Sequence, residues 1–145
     1  MSHKDKKIAA LIAAHQGQDL DPHYLGYFDC FNRQLYFEAH EVLETIWLKQ
    51  RGGADDRFYK GLIQLAGAFV HLQKHRPGPA AALFRLSEAN LRGYPAVHHR
   101  LNVQAVAGMI REWLNRLTRP APASGSTADN GGEVPRLALQ PAPAE

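Results

Sequence analysis

Two adjoining segments with apolar residues at helical spacing, separated only by the loop that holds Gly52-Gly53, constrain this chain more than any other feature. Upstream, Leu35, Ala39, Val42, Leu43, Ile46 and Trp47 recur at three- and four-residue intervals. Downstream, Phe58, Leu62, Leu65, Ala66, Phe69, Val70 and Leu72 cover a broader arc. Such a period places side chains on one helical face, and a glycine pair stops a helix. The short connection predicts an antiparallel helical hairpin, with the second helix buried on more of its surface.

Punctuation sets the remaining elements. Asp21-Pro22 reads as an N-cap followed by proline at the first helical position, with a break or bend expected near Gly26 to Asn32. Asp55-Asp56 supplies acidic caps for a helix over 57–75, Pro79 opens a third helix through Arg92, and Asn102 caps a fourth over 103–117. No alternating run bounded by hairpin turns predicts a strand. The fold expected is an all-α bundle or array of four to five helices around the central hairpin. Residues 1–20 form a short N-terminal helix or arm, residues 21–119 the helical domain, and residues 120–145 a Pro/Ala/Gly-rich disordered tail. Within the tail, residues 134–139 read as a short docking segment.

Composition narrows the functional classes. The single cysteine, Cys30, excludes an internal disulfide framework, fits a reducing cytoplasm and reads as a structural thiol. No apolar run reaches the length of a membrane span, and the run from Ile8 to Ala14 is short for a signal-peptide core. From Asp19 to Asp56 eight acids stand against three bases, whereas from Lys74 to Arg119 eight bases stand against two acids. The two halves are expected to pack on each other. The basic faces of the later helices lack interleaved aromatics, so nucleic acid is not the expected partner, and His98-His99-Arg100 reads as a solvated loop. Trp47 and Trp113 read most simply as core aromatics.

The helix carrying Phe37-Glu38-Ala39-His40-Glu41-Val42-Leu43-Glu44 holds the densest chemistry. His40 and Glu44 lie one turn apart at the border of the apolar face, with Glu41 at the edge of the same stripe. In an antiparallel hairpin, Gly67 falls opposite His40, Gln64 near Glu44, and His71 near the level of Phe37 and His40. A cluster of His40, Glu41, Glu44, Gln64 and His71 supports three readings. The first is a small-ligand or hydrolase-type pocket in which His40 moves a proton, Glu44 or Glu41 orients it and Gln64 positions the ligand. The second is a non-enzymatic helical interaction module, with a homodimer among its forms, in which the same residues are a buried polar lock. The third is a metal site using His40, Glu44 and His71, although neither a firm metal motif nor a nucleotide motif is present.

The stretch Phe31-Asn32, Tyr36 to Glu44 and Trp47, followed by Gly61-Leu62-Ile63-Gln64-Leu65-Ala66 and His71, resembles the prokaryotic domain of unknown function family 309. The resemblance covers roughly residues 27–117. It implies a compact all-α bundle and motif positions for Asn32, His40, Glu41, Glu44, Trp47, Gln64 and His71, with Asn32 and Trp47 joining Gln64 and His71 as candidate ligand contacts. It supplies no activity or cofactor. Where the family commonly has a small residue before Tyr36, this chain has Arg33-Gln34-Leu35.

Overall fold

The computed structural model describes residues 3–118 and 135–141. Six α-helices occupy most of them: α1 (His3–Ile12), α2 (Pro22–Asn32), α3 (Tyr36–Lys49), α4 (Asp56–Gln73), α5 (Pro77–Leu91) and α6 (Val103–Thr118). The Asp21 carboxylate accepts from the His23 amide at 2.8 Å and Asn102 accepts from the Ala105 amide at 2.9 Å, so both expected caps form. Pro22 and Pro77 sit in first turns, where a missing N–H costs nothing.

Three expectations need correcting. The break upstream of Gly52 falls just past the expected stretch: residues 26–32 stay helical and the chain breaks into two helices where Gln34 takes a left-handed backbone (φ 62°) between α2 and α3. A small residue reaches that conformation most easily, and here glutamine adopts it. A two-residue antiparallel hairpin, β1 (Val97–His98) with β2 (Leu101–Asn102), stands where no strand was expected. It is too short for alternation to be visible. The acidic helix α3 is covered by α1, not by the basic second half: Lys4 reaches Glu44 and Lys7 reaches Glu41, each at 3.0 Å. Arg100 on Asp19, at 2.8 Å, does join the two halves.

The core is aromatic and centred on α4. Phe69 packs its ring against Phe31 of α2, Tyr36 of α3, Phe84 of α5 and Trp113 of α6, with centroids 5.0–5.5 Å away. Tyr27, fully buried on α2, donates to the Leu62 carbonyl at 2.6 Å. A satellite cluster of Ile8, Ile12 and Val42 holds α1 against the bundle. No helix among the described residues is long and apolar enough to cross a membrane.

The approach of α5 to α4 depends on Gly61. A Cβ there would lie 2.9 Å from Leu91 Cγ and 3.3 Å from the Ser87 carbonyl, whose own hydroxyl donates to the Gly61 carbonyl at 2.6 Å. Leu91 is buried and has little room to yield. Gly61→Val is therefore expected to destabilise by about 1–3 kcal/mol, despite removing a helix glycine. Gly108 of α6 has nothing within 4 Å of its Cβ position, and Gly108→Ala is expected to stabilise by about 0.5–1 kcal/mol. Urea midpoints of the two variants should move in opposite directions.

Candidate functional site

The residues expected to cluster on the hairpin point in different directions. His40 Nε2 lies 3.6 Å from Glu44 Oε2, a loose contact on a partly exposed surface. Glu44, partly exposed, and Glu41, buried, turn to the lysines of α1. Gln64 faces α5 instead, where its carbonyl accepts from the Asn90 amide at 2.7 Å. Gly67 also faces α5, since its Cβ position meets Leu83 at 3.1 Å; it opens no space beside His40. Tyr36 stacks on Phe69, and Gln73 donates to the Gln34 carbonyl, which puts His71 level with the α2–α3 turn. That is more than a helical turn from His40. The Nδ1 atoms of His40 and His71 are buried without a hydrogen-bond partner among the described residues.

The other two motif positions are engaged by polypeptide. Trp47 donates its indole N–H to Asp56 at 2.7 Å, while Asp56 also accepts from the Gly52 amide at 2.7 Å. The Gly52 amide and the Trp47 indole hold the Asp56 carboxyl below the usual carboxylate range. Asn32 grips the main chain of Leu137 with both ends of its amide, at 2.7 Å each. Cys30 is buried on α2, and burial pushes its thiol up to about 11, as suits a structural cysteine.

A different constellation is tighter. Asp55, at the N-cap position of α4, makes no capping bond to its own helix. Its two oxygens are turned to the β1–β2 hairpin, accepting from His98 Nε2 at 2.8 Å and from His99 Nε2 at 2.7 Å. Burial alone would raise the Asp55 carboxyl; the hydrogen bonds from His99 and His98 overcome it and hold the group low. One donor atom from each of the three lies within 4.8 Å of the others.

Aromatic walls fix both imidazoles. The ring of His98 is 4.8 Å from Phe58 and 5.0 Å from Tyr94, and that of His99 stacks parallel to Tyr59 at 6.3 Å. Tyr24 donates to the His99 carbonyl at 2.9 Å, and Tyr94 to the Ala54 carbonyl at 2.7 Å. Burial, followed by the nearby Asp55 charge, pushes the Tyr59 phenol up to about 12. His99 and Arg100 both adopt left-handed backbone (φ 46° and 62°), which bulky residues avoid. This turn brings two consecutive histidines onto one carboxylate.

Sequence reasoning passes over this trio for identifiable reasons. Asp55 reads as a cap, and His98-His99 as a solvated loop 43 residues away. The one available signal was an adjacent histidine pair in a short connection; the left-handed turn that converges it has no glycine to announce it.

Comparison with known proteins bears on the hairpin rather than on the trio. Residues 24–83 match the family described as Domain of unknown function (DUF309). The resemblance carried by the motif residues thus holds for that stretch. The chain is also similar to the uncharacterized protein YpuF of Bacillus subtilis (strain 168), at 38% identity over 63 residues. That similarity covers 43% of this chain, which spans about a third (34%) of the YpuF length. No solved structure matches. All seven motif positions and Asp55 lie inside the DUF309 stretch, whereas His98 and His99 lie beyond it.

Proposed function

We propose that this chain is a helical domain that holds a divalent transition-metal ion through Asp55, His98 and His99. The observation that carries the reading is the diversion of Asp55. A helix N-cap that withholds its carboxylate from the helix and receives two imidazoles instead gives up stabilisation of about 1 kcal/mol. Two non-glycine residues in left-handed conformation add to that cost, and local cost of this kind concentrates at functional sites. One carboxylate and two imidazoles suit zinc and its neighbours among the first-row ions, and three protein donors leave a fourth position for water or another ligand. Ligation would replace the two hydrogen bonds: the O···N contacts at 2.8 and 2.7 Å open and the widest donor separation, within 4.8 Å, closes, toward the roughly 3.3 Å of a tetrahedral site with bonds near 2.0 Å.

The test is a zinc titration of the full chain, produced without a histidine tag and stripped with chelator. One equivalent should bind, and free zinc at a hundred times Kd should stabilise by about 2.7 kcal/mol, visible as a rise in Tm. If zinc, cobalt(II) and nickel(II) at millimolar concentration all leave Tm unchanged, the reading fails.

A second reading applies to the motif helix. Lys4 on Glu44, Lys7 on Glu41, and the Lys7 ammonium 5.4 Å from the centre of the Phe37 ring favour Phe37, Glu41 and Glu44 as the seat of α1, with His40 beside Glu44. This is the polar-lock alternative, directed at the N-terminal helix instead of at α4. Gln64 would serve the same purpose between α4 and α5 through Asn90.

A further inference from the structure

Asn32 ends α2 with its carboxamide directed at an extended segment from the far end of the chain. Its Nδ2 donates to the Leu137 carbonyl and its Oδ1 accepts from the Leu137 amide, both at 2.7 Å. A carboxamide used in this way copies one rung of a β-ladder. It recognises main chain and is indifferent to the side chain. Three residues on, the Gln140 amide donates to the Arg100 carbonyl at 2.7 Å, and Leu139 forms an antiparallel bridge with Leu101. The segment thus extends the β1–β2 hairpin at its outer edge. Leu137 is buried, 6% exposed, and Leu139 packs against the core beside Leu101.

We propose that the seam between Asn32 and the Leu101 edge is a docking site for an extended peptide carrying leucines two residues apart, filled in this chain by its own residues 135–141. Main-chain hydrogen bonds along an open strand edge, with alternate side chains in apolar seats, are how β-augmentation binds peptides. Asn32 lies within the stretch that matches the family, whereas the Leu101 edge and the occupying strap both lie beyond its end. Between Thr118 and Pro135 the chain has sixteen residues, enough to let the strap leave and return. Tethering gives it a millimolar effective concentration, so it acts as a built-in competitor against a peptide from another protein.

The test uses the full chain with Leu137→Asp and Leu139→Asp to release the strap, and a synthetic peptide of residues 133–142 as probe. In the 15N spectrum the Asn32 side-chain amide should leave its wild-type position in the variant and return as peptide is added. Wild type should respond at least about tenfold more weakly, because its site is already filled. A peptide with both leucines changed to aspartate should not bind. A folded variant that ignores the peptide at millimolar concentration, or answers both peptides alike, overturns the proposal. Hydrogen exchange on the unaltered chain tests the same point without relying on the variant. The amides of Leu137 and Gln140 should exchange at least about tenfold faster than those of α4. Exchange of the strap only with global unfolding would make it part of the core and overturn docking.

Discussion

Phe69→Ala is expected to cost about 3–5 kcal/mol, a large share of the 5–15 kcal/mol that a domain of this size holds. Phe69 is 3% exposed and is touched by rings from four other helices, α2, α3, α5 and α6. Truncating it removes an edge-to-face or stacked partner from each, and each such pair adds about 0.5–1.5 kcal/mol beyond area burial. The cavity opens at the centre of the bundle, where no single helix can shift to close it without parting from the others. Thermal unfolding followed by far-UV circular dichroism should show Tm lower by more than about 10 °C. Trp113→Ala is the control. Trp113 meets the rings of Phe69 and Phe84 but is only partly buried and lies on the last helix, which can settle inward. Its loss should be smaller; a loss equal to that of Phe69→Ala would show that the core has no single centre.

The helices were legible in sequence because their determinants are local. Period, Asp21-Pro22, Asn102 and the left-handed Gly52 (φ 83°) all act within a few residues of where they sit. The direction of the polar side chains was not legible, because it is decided by neighbours distant in sequence. Gln64 and Gly67 turn to α5 rather than α3, since close packing through Gly61 brings α5 against that face of α4. Glu41 and Glu44 turn to a helix that reads as a loose arm, whose lysines reach them across 34 and 40 residues. The docking segment was visible as a short apolar patch in a polar tail. Its structure is described from Pro135 to Pro141, and the disorder expected for the rest of 120–145 lies outside the described residues. The seat of that segment was not visible, because Asn32 and Leu101 meet only in the fold.

Asp55→Asn is expected to lower zinc affinity about a hundredfold or more while leaving the metal-free protein within about 1 kcal/mol of wild type. The two effects separate because a carboxamide can replace the carboxylate as a hydrogen-bond partner but not as a ligand. Its oxygen still accepts from one imidazole, and its NH₂ can donate to the other once that ring changes tautomer, which preserves two neutral hydrogen bonds worth about 1 kcal/mol each. As a neutral, weakly basic donor it supplies little to a cation whose binding draws several kcal/mol from each ligand of a complete site. His98→Ala and His99→Ala should also lose the ion, but each leaves Asp55 with one partner fewer and each imidazole is packed against aromatic rings. Those variants therefore lower stability as well, and only Asp55→Asn isolates the metal. Isothermal titration with zinc, beside a urea melt of the metal-free protein, reads both quantities. Zinc affinity within tenfold of wild type in Asp55→Asn would mean that the ion, if bound, sits elsewhere. An unchanged melt with zinc in both proteins would reduce the trio to a tie between α4 and the hairpin.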